Sequence, residues 1–256
     1  MATDKVQVPL VDGVQVFVSV WEELEQKYGS ENLRFPKEIM WLGGAPGAGK
    51  GTHTPFIMRE RGLTGTPIVM SSLLQTPEAE LMKKKGYLVG DREVVQLLLE
   101  QLLDGQYENG VVVDGFPRTG VQVECVQLLY HKMLQQRARY FDSPVGPNFL
   151  CPIFRITILH VREEVSIERQ LRRGRQIQAH NLQVTQSGEG ELLEMRDTDL
   201  DAETAKRRYK VYREQTFDAL QSLRNSFHYH FIDANGDIGS VEDKIIEGFQ
   251  YESSLE

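Results

Sequence analysis

The sequence predicts an α/β protein with a doubly wound parallel sheet. Two observations predict it. Short apolar runs alternate with stretches of helical apolar spacing along most of the chain, as parallel strands joined by crossover helices require. The stretch "WLGGAPGAGKGTH" (41–53) sets a glycine-rich turn between an apolar strand and a helical pattern. Crossovers between parallel strands are right-handed, which makes the doubly wound form the default.

Each element follows in order. "EIMWL" (38–42) is the first strand, and its glycine loop leads into a helix ending near Arg61. "PIVM" (67–70) is a second strand before a helix over 72–85. Asp91 is placed to cap the helix "REVVQLLLEQLL". "VVV" (111–113) is a third strand, followed by "DGFPR" and a helix over about 121–139. "FRITILHV" (154–161) runs into a helix over 163–173. Residues 174–199 are polar and glycine-containing, the pattern of a mobile cover over a site. A helix over about 201–224, a strand "HYHFI" (228–232) and a helix over about 240–249 complete the pattern. Residues 1–37 are an extension, with Val14, Phe17, Trp21, Leu24 and Tyr28 on one helical face packing on the domain 38–250.

The composition narrows the function. A net charge of −8 argues against a nucleic-acid partner, which wants a basic surface. No apolar run approaches the roughly 18 residues of a membrane span, and "MATDKVQVPL" has the layout of neither a secretory signal nor a transit peptide. Cys125 and Cys151 are too few for a disulfide framework, so a cytoplasmic protein with reduced thiols is expected; a monomer is expected as well. Ten of the 18 arginines nevertheless fall between Arg155 and Arg213. Guanidinium groups concentrated in an acidic chain point to a small, highly charged anion, although a solvated helix surface is the alternative.

The loop at 44–52 nearly spells G-x-x-x-x-G-K-[ST], with Gly44, Gly49 and Lys50 in place. Gly51 holds the hydroxyl position, and Thr52 brings the hydroxyl one residue late. Such a loop turns backbone N–H groups and a positive helix end toward a phosphate, with the lysine reaching the β- and γ-phosphates. Asp114, at the carboxyl end of a strand downstream, stands where Mg²⁺ or its water shell is held. Arg118 lies four residues on, and Arg162, Arg169 and Arg173 share a helix face with Val161, Val165 and Ile167 on its apolar side. Arg196, Arg207, Arg208 and Arg213 follow in a separate segment. Arginines converging on a phosphate loop suit the stabilisation of a transferring phosphoryl group. His53 reads as a helix-surface residue.

"GGAPGAGKGT", "GYLVGDREVV", "VVVDGFPRTGVQ", "ERQLRRGR" and "RDTDLDAETAKRRYKVY" together resemble the adenylate kinase family of nucleoside monophosphate kinases. They fall in the family's order over about 38–250, and the G-K-G-T ending of the loop is typical of it. The resemblance implies a five-stranded core, a monophosphate-binding helical segment near 70–100 and a lid near 174–199. It implies reversible phosphoryl transfer from MgATP to a nucleoside monophosphate, usually AMP (ATP + AMP = 2 ADP). By the same resemblance, Gly47, Ala48, Gly49, Lys50, Gly51 and Thr52 cradle the ATP phosphates, and Asp114 organises Mg²⁺ through water. Arg169 would lie over the ATP adenine, whose edge meets the backbone at Gly236. Arg118 would contact the acceptor phosphate and Gln122 the acceptor base, beside Ser71, Val89 and Gly115. Arg173, Arg196 and Arg208 would grip the transferred group.

Departures from the family pattern bear on the acceptor. "VMSSLLQ" (69–75) puts Ser71 and Ser72 at the usual Gly-Asp and Gln75 at an arginine that contacts the acceptor phosphate. That removes a charge-assisted contact of about 1.5–3 kcal/mol. A UMP/CMP-type kinase and a nucleotide-binding regulator with little turnover are therefore the alternatives. The lid contains no cysteine, which excludes a four-Cys zinc lid.

Overall fold

Strands β1 (Glu38–Gly44), β2 (Ile68–Val69), β3 (Val111–Asp114), β4 (Ile153–His160) and β5 (His228–Asp233) form one parallel sheet in the order β2-β3-β1-β4-β5. The computed structural model describes residues 12–75, 77–84 and 88–253, so the N-terminal stretch read for targeting signals lies outside it. Ile39, Met40, Trp41 and Leu42 of β1 are all buried, as a central strand covered on both faces demands. Its neighbours β3 and β4 lie on opposite sides, so the glycine loop leaves β1 in the crevice where the strand order reverses.

The helices are α1 (Gly13–Tyr28), α2 (Lys50–Arg61), α3 (Met70–Leu73), α4 (Pro77–Lys84), α5 (Asp91–Leu102), α6 (Gly120–Tyr140), α7 (Glu163–Ser187), α8 (Ala202–Val211), α9 (Asp218–Ser222) and α10 (Ile238–Ser253). Among the described residues no helix is long and apolar enough to cross a membrane. Several elements differ from expectation. The helix foreseen over 72–85 is two, because Pro77 cannot continue a helix from the residues before it and opens α4 instead. The polar stretch after 173 continues α7 as far as Ser187, with four glutamines, good helix formers, and ends only where Gly188 adopts φ 71°. The helix over 201–224 contains a π segment, Tyr212–Phe217, between α8 and α9. The last helix is longer than its pattern at both ends.

Helix α1 packs on α5 and α6. Its buried side is Val16, Phe17, Val20, Trp21 and Leu24, whereas Val14 and Tyr28 are exposed, so the stripe is rotated from the one the spacing suggested. Lys27 pairs with Glu100 of α5 at 3.1 Å, and Arg92 of α5 reaches Glu23. At the opposite end of the sheet from the glycine loop, Glu38 accepts two hydrogen bonds from Arg61 (2.9 and 3.1 Å) and one from Arg155 (3.2 Å). This buried charge is compensated from both sides, locking α2 and β4 to the start of β1.

Candidate active site

The cradle comes from the turn between β1 and α2. Gly44, Gly47 and Gly49 have φ of 141°, 73° and 90°, a region that side chains with a Cβ resist. Space enforces the same choice: a Cβ at Gly44 would lie 2.4 Å from the Leu159 carbonyl oxygen, and one at Gly47 2.6 Å from that of Ser166. Ser166 of α7 braces the turn by donating to the Pro46 carbonyl at 2.6 Å. No side chain caps α2 at Gly49, so the first-turn N–H groups remain directed out of the helix end. Lys50 donates from Nζ to the carbonyls of Gly44 (3.0 Å) and Ala45 (3.2 Å). Burial pushes its ammonium down to about 8, opposed by the Asp114 carboxylate and reinforced by Arg118, Arg208 and Arg173. Ala48 is buried beneath the turn, while Gly51 and Thr52 are exposed.

Asp114 ends β3, and the chain turns at Gly115 with φ 90°, followed by a cis Phe116–Pro117 bond. Arg118 is folded back onto that turn, with Nε donating to the Gly115 carbonyl at 2.6 Å. Burial lowers its pKa, Asp114 raises it, and Arg196 lowers it further. Thr216, on the π segment, donates to the Arg118 carbonyl at 2.7 Å, tying this turn to the helix that follows α8. π segments recur where a helix must re-aim a residue at a functional site.

The second half of the cluster comes from α7, α8 and the turn at 197–199. The buried stripe of α7 itself is Ser166, Gln170 and Gly174, which packs on the glycine turn and on residues 199–200; Val161, just before the helix, is fully buried as expected, and Val165 and Ile167 are half-buried. Asp199, fully buried, holds Arg173 Nε at 2.7 Å and Arg208 Nη1 at 3.0 Å. Arg208 also donates to Gln170 (3.0 Å) and Thr198 (3.1 Å). Burial brings the Arg208 pKa to about 10, with Asp199 raising it and Arg173, Arg196 and Arg118 lowering it. The structure thus brings Lys50, Asp114, Arg118, Arg173, Arg196 and Arg208 within electrostatic reach of one another.

Arg169 is elsewhere. Its guanidinium donates to the carbonyls of Ala234 (2.8 Å), Asn235 (3.3 Å) and Gly236 (2.7 Å), joining α7 to the turn before α10. His53 lies near it and is a correction: it is 4% exposed, facing Glu242 at 3.9 Å, because α10 covers this side of α2. Burial lowers its pKa. Arg207 and Arg213 stay outside the cluster; Arg213 stacks on Phe217, 4.3 Å from its ring centre.

A small cleft opens beside Arg118, and Ser71, Val89, Gly115 and Gln122 line it. Met70, Leu74 and Val94 give it an apolar wall. Gln122 is 2% exposed, accepts from the Arg118 N–H at 2.8 Å and donates to Asp91 at 2.9 Å. Asp91 was expected to cap α5; Gly90 holds the cap position, and the Asp91 side chain turns to Thr119 and Gln122 of the next helix. Gln75 is exposed and does not line the cleft. Sequence reading missed Asp199, Thr216 and this role of Asp91. The acid in "RDTD" between two arginine segments was the one available signal for Asp199.

A parallel sheet with a P-loop at its switch point and arginines converging on it defines a P-loop phosphotransferase. No family model matches the chain. Curated relatives do. The adenylate kinase of Deinococcus deserti is 30% identical over 221 residues, 84% of this chain and 97% of that protein. The adenylate kinase of Deinococcus radiodurans is 30% identical over 83% of this chain and 96% of its own. That of Rickettsia prowazekii is 27% identical over 79% and 94%. The chain belongs to the adenylate kinase family, and is a nucleoside monophosphate kinase.

Proposed function

We propose that the protein transfers the terminal phosphoryl group of ATP to AMP, reversibly, giving two ADP. The convergence of Lys50, Arg118, Arg173, Arg196 and Arg208 between the glycine cradle and the cleft at Gln122 carries this reading. The attacking group is a phosphate oxygen that is already anionic, so no base is needed. The barrier lies in bringing two polyanions together and in stabilising charge on the transferring group, which fixed cations in a buried site do. Lys50 and the N–H groups of residues 47–52 hold the ATP phosphates. Arg118 holds the acceptor phosphate, and Arg173, Arg196 and Arg208 hold the group in flight. Arg169 and the Gly236 backbone lie along the ATP base.

Mg²⁺ fits this site. Among the described residues no three His, Cys, Asp or Glu side chains cluster as ligands. A Mg²⁺ that keeps waters and sits on substrate phosphates needs only one or two carboxylates, and Asp114 supplies one. When bound, the ion adds charge neutralisation at the phosphates. Residues 174–199 act as the lid, with Arg173 immediately before it and Arg196 within it, and its closure keeps water from the phosphoryl group. The kinase domain is 38–250, with 70–100 as the acceptor segment and 1–37 as an extension whose described part, 12–37, packs on it. The enzyme works as a monomer in the cytoplasm, a compartment in keeping with its two free cysteines.

An ADP-forming assay with AMP, UMP, CMP and GMP tests the reading. Turnover is expected to be fastest with AMP. Preference for UMP or CMP would reassign the acceptor, a question Gln75 makes pointed. Tight nucleotide binding with no turnover on any of the four would make the protein a regulator instead.

A further inference from the structure

The amide of Gln122 is held at both ends by groups that cannot exchange roles. The Arg118 backbone N–H only donates, and it meets Oε1 at 2.8 Å. The Asp91 carboxylate only accepts, and its Oδ1 meets Nε2 at 2.9 Å. The same Oδ1 accepts from the Thr119 hydroxyl at 2.7 Å, which in turn accepts from the Gln122 N–H at 3.1 Å. Four groups from two helices and the turn between strand and helix therefore form a closed set with every donor direction fixed. A glutamine amide carries two donor hydrogens and two acceptor lone pairs. One of each is spent inside the set, leaving one N–H and one lone pair for the cleft that Gln122 lines.

We propose that Asp91 is a specificity-determining positioning residue: by pinning Nε2 of Gln122, it makes the acceptor cleft read an amino-substituted base and reject an oxo-substituted one. The inference rests on the acceptor assignment of that cleft. A 6-aminopurine presents a ring-nitrogen acceptor beside an exocyclic amino donor, which matches the free N–H and lone pair of the amide. A 6-oxopurine in the same pose presents the reverse, donor against donor and oxygen against oxygen. A site built to pair particular polar groups rejects an analogue that leaves them unpaired. Turning the amide over would serve the oxopurine, but Asp91 would then face a second oxygen.

The test compares AMP with IMP as acceptors. Asp91→Asn keeps the shape of the side chain but can donate as well as accept, so it removes one of the two constraints on the amide and leaves the Arg118 N–H alone to orient it. The ratio of kcat/KM for AMP over IMP is expected to narrow about tenfold, through a raised KM for AMP, with the KM for ATP unchanged. Asp91→Ala, with no partner for Nε2, is expected to narrow it further; if that variant does not fold, the Asn variant decides alone. An unchanged ratio in Asp91→Asn, or equal losses with both acceptors, would overturn the proposal, because a purely structural role moves both together. Gln122→Leu, run in parallel, separates the two readings. If it leaves the AMP KM and the ratio untouched, the cleft is not the acceptor base site. If it erases discrimination while Asp91→Asn preserves it, only the role of Asp91 fails.

Discussion

Asp199 and Arg208 meet in the centre of the cation cluster, Oδ1 to Nη1 at 3.0 Å, and the other oxygen of the same buried carboxylate holds Arg173. One acid thereby satisfies two guanidinium groups that would otherwise face other cations. Removing one member of a buried pair strands the rest, at about 3–5 kcal/mol. Asp199→Ala is expected to fall at the lower end, about 3 kcal/mol, since Arg173 is partly solvated. Phosphate oxygens can substitute for the lost carboxylate, so ATP should raise the Tm of the variant more than that of the parent. Thermal unfolding with and without ATP measures both; an unshifted Tm in the variant would show that other groups hold these arginines.

Lys50 titrates near 8 rather than at its usual 10.5, chiefly because burial disfavours its charge. Between those values the unfolded chain keeps a proton that the folded chain releases. The penalty from Lys50 is fully felt below about pH 8 and relieved as pH rises toward 10.5, so this residue's contribution to stability increases with pH across that window. A bound phosphate favours the ammonium, so ATP binding at pH 8 should take up a fraction of a proton. Calorimetric titration in buffers of different ionisation enthalpy reads that uptake. Lys50→Met should abolish it; uptake of unchanged size would place the proton on another group.

Thr216 donates to the Arg118 carbonyl from a π segment, and the bond is 2.7 Å long with Thr216 5% exposed. Thr216→Val keeps the shape and loses the donor, leaving the carbonyl short of a partner at about 1–2 kcal/mol. The KM for the acceptor should rise while the KM for ATP holds, and Thr216→Ser should recover most of the loss. Equal changes in both KM values would mean that the bond serves stability alone.

Two glycines of the loop should respond oppositely to alanine. At Gly44 the backbone is left-handed at φ 141° and a Cβ would lie 2.4 Å from the Leu159 carbonyl, so Gly44→Ala should cost about 2 kcal/mol or more. At Gly51, inside α2, a Cβ meets nothing within 4 Å. Gly51→Ala should therefore stabilise the protein by about 0.5–1 kcal/mol, the helix propensity difference. Denaturant unfolding of both variants checks the contrast, and a destabilised Gly51→Ala would reveal a constraint on α2 beyond propensity.

Local signals made much of this protein legible in its sequence. Apolar runs set the five strands, and glycines at 44, 47 and 49 set the turn, because a backbone at positive φ leaves little choice of residue. The same local reading picks out Lys50, Asp114 and Arg118 as candidates, each placed within a few residues of a strand end. Tertiary structure decided the rest. The Arg173–Asp199 bond spans 26 residues and the Gln122–Asp91 bond 31, separations over which spacing carries no information. His53 is buried because α10, nearly two hundred positions later in the chain, covers α2. The stripe of α1 turned toward Val16 and Val20 because its partners α5 and α6 offered that groove. Periodicity fixes which residues share a face, but only the packed neighbours fix which face is buried and which charges meet there.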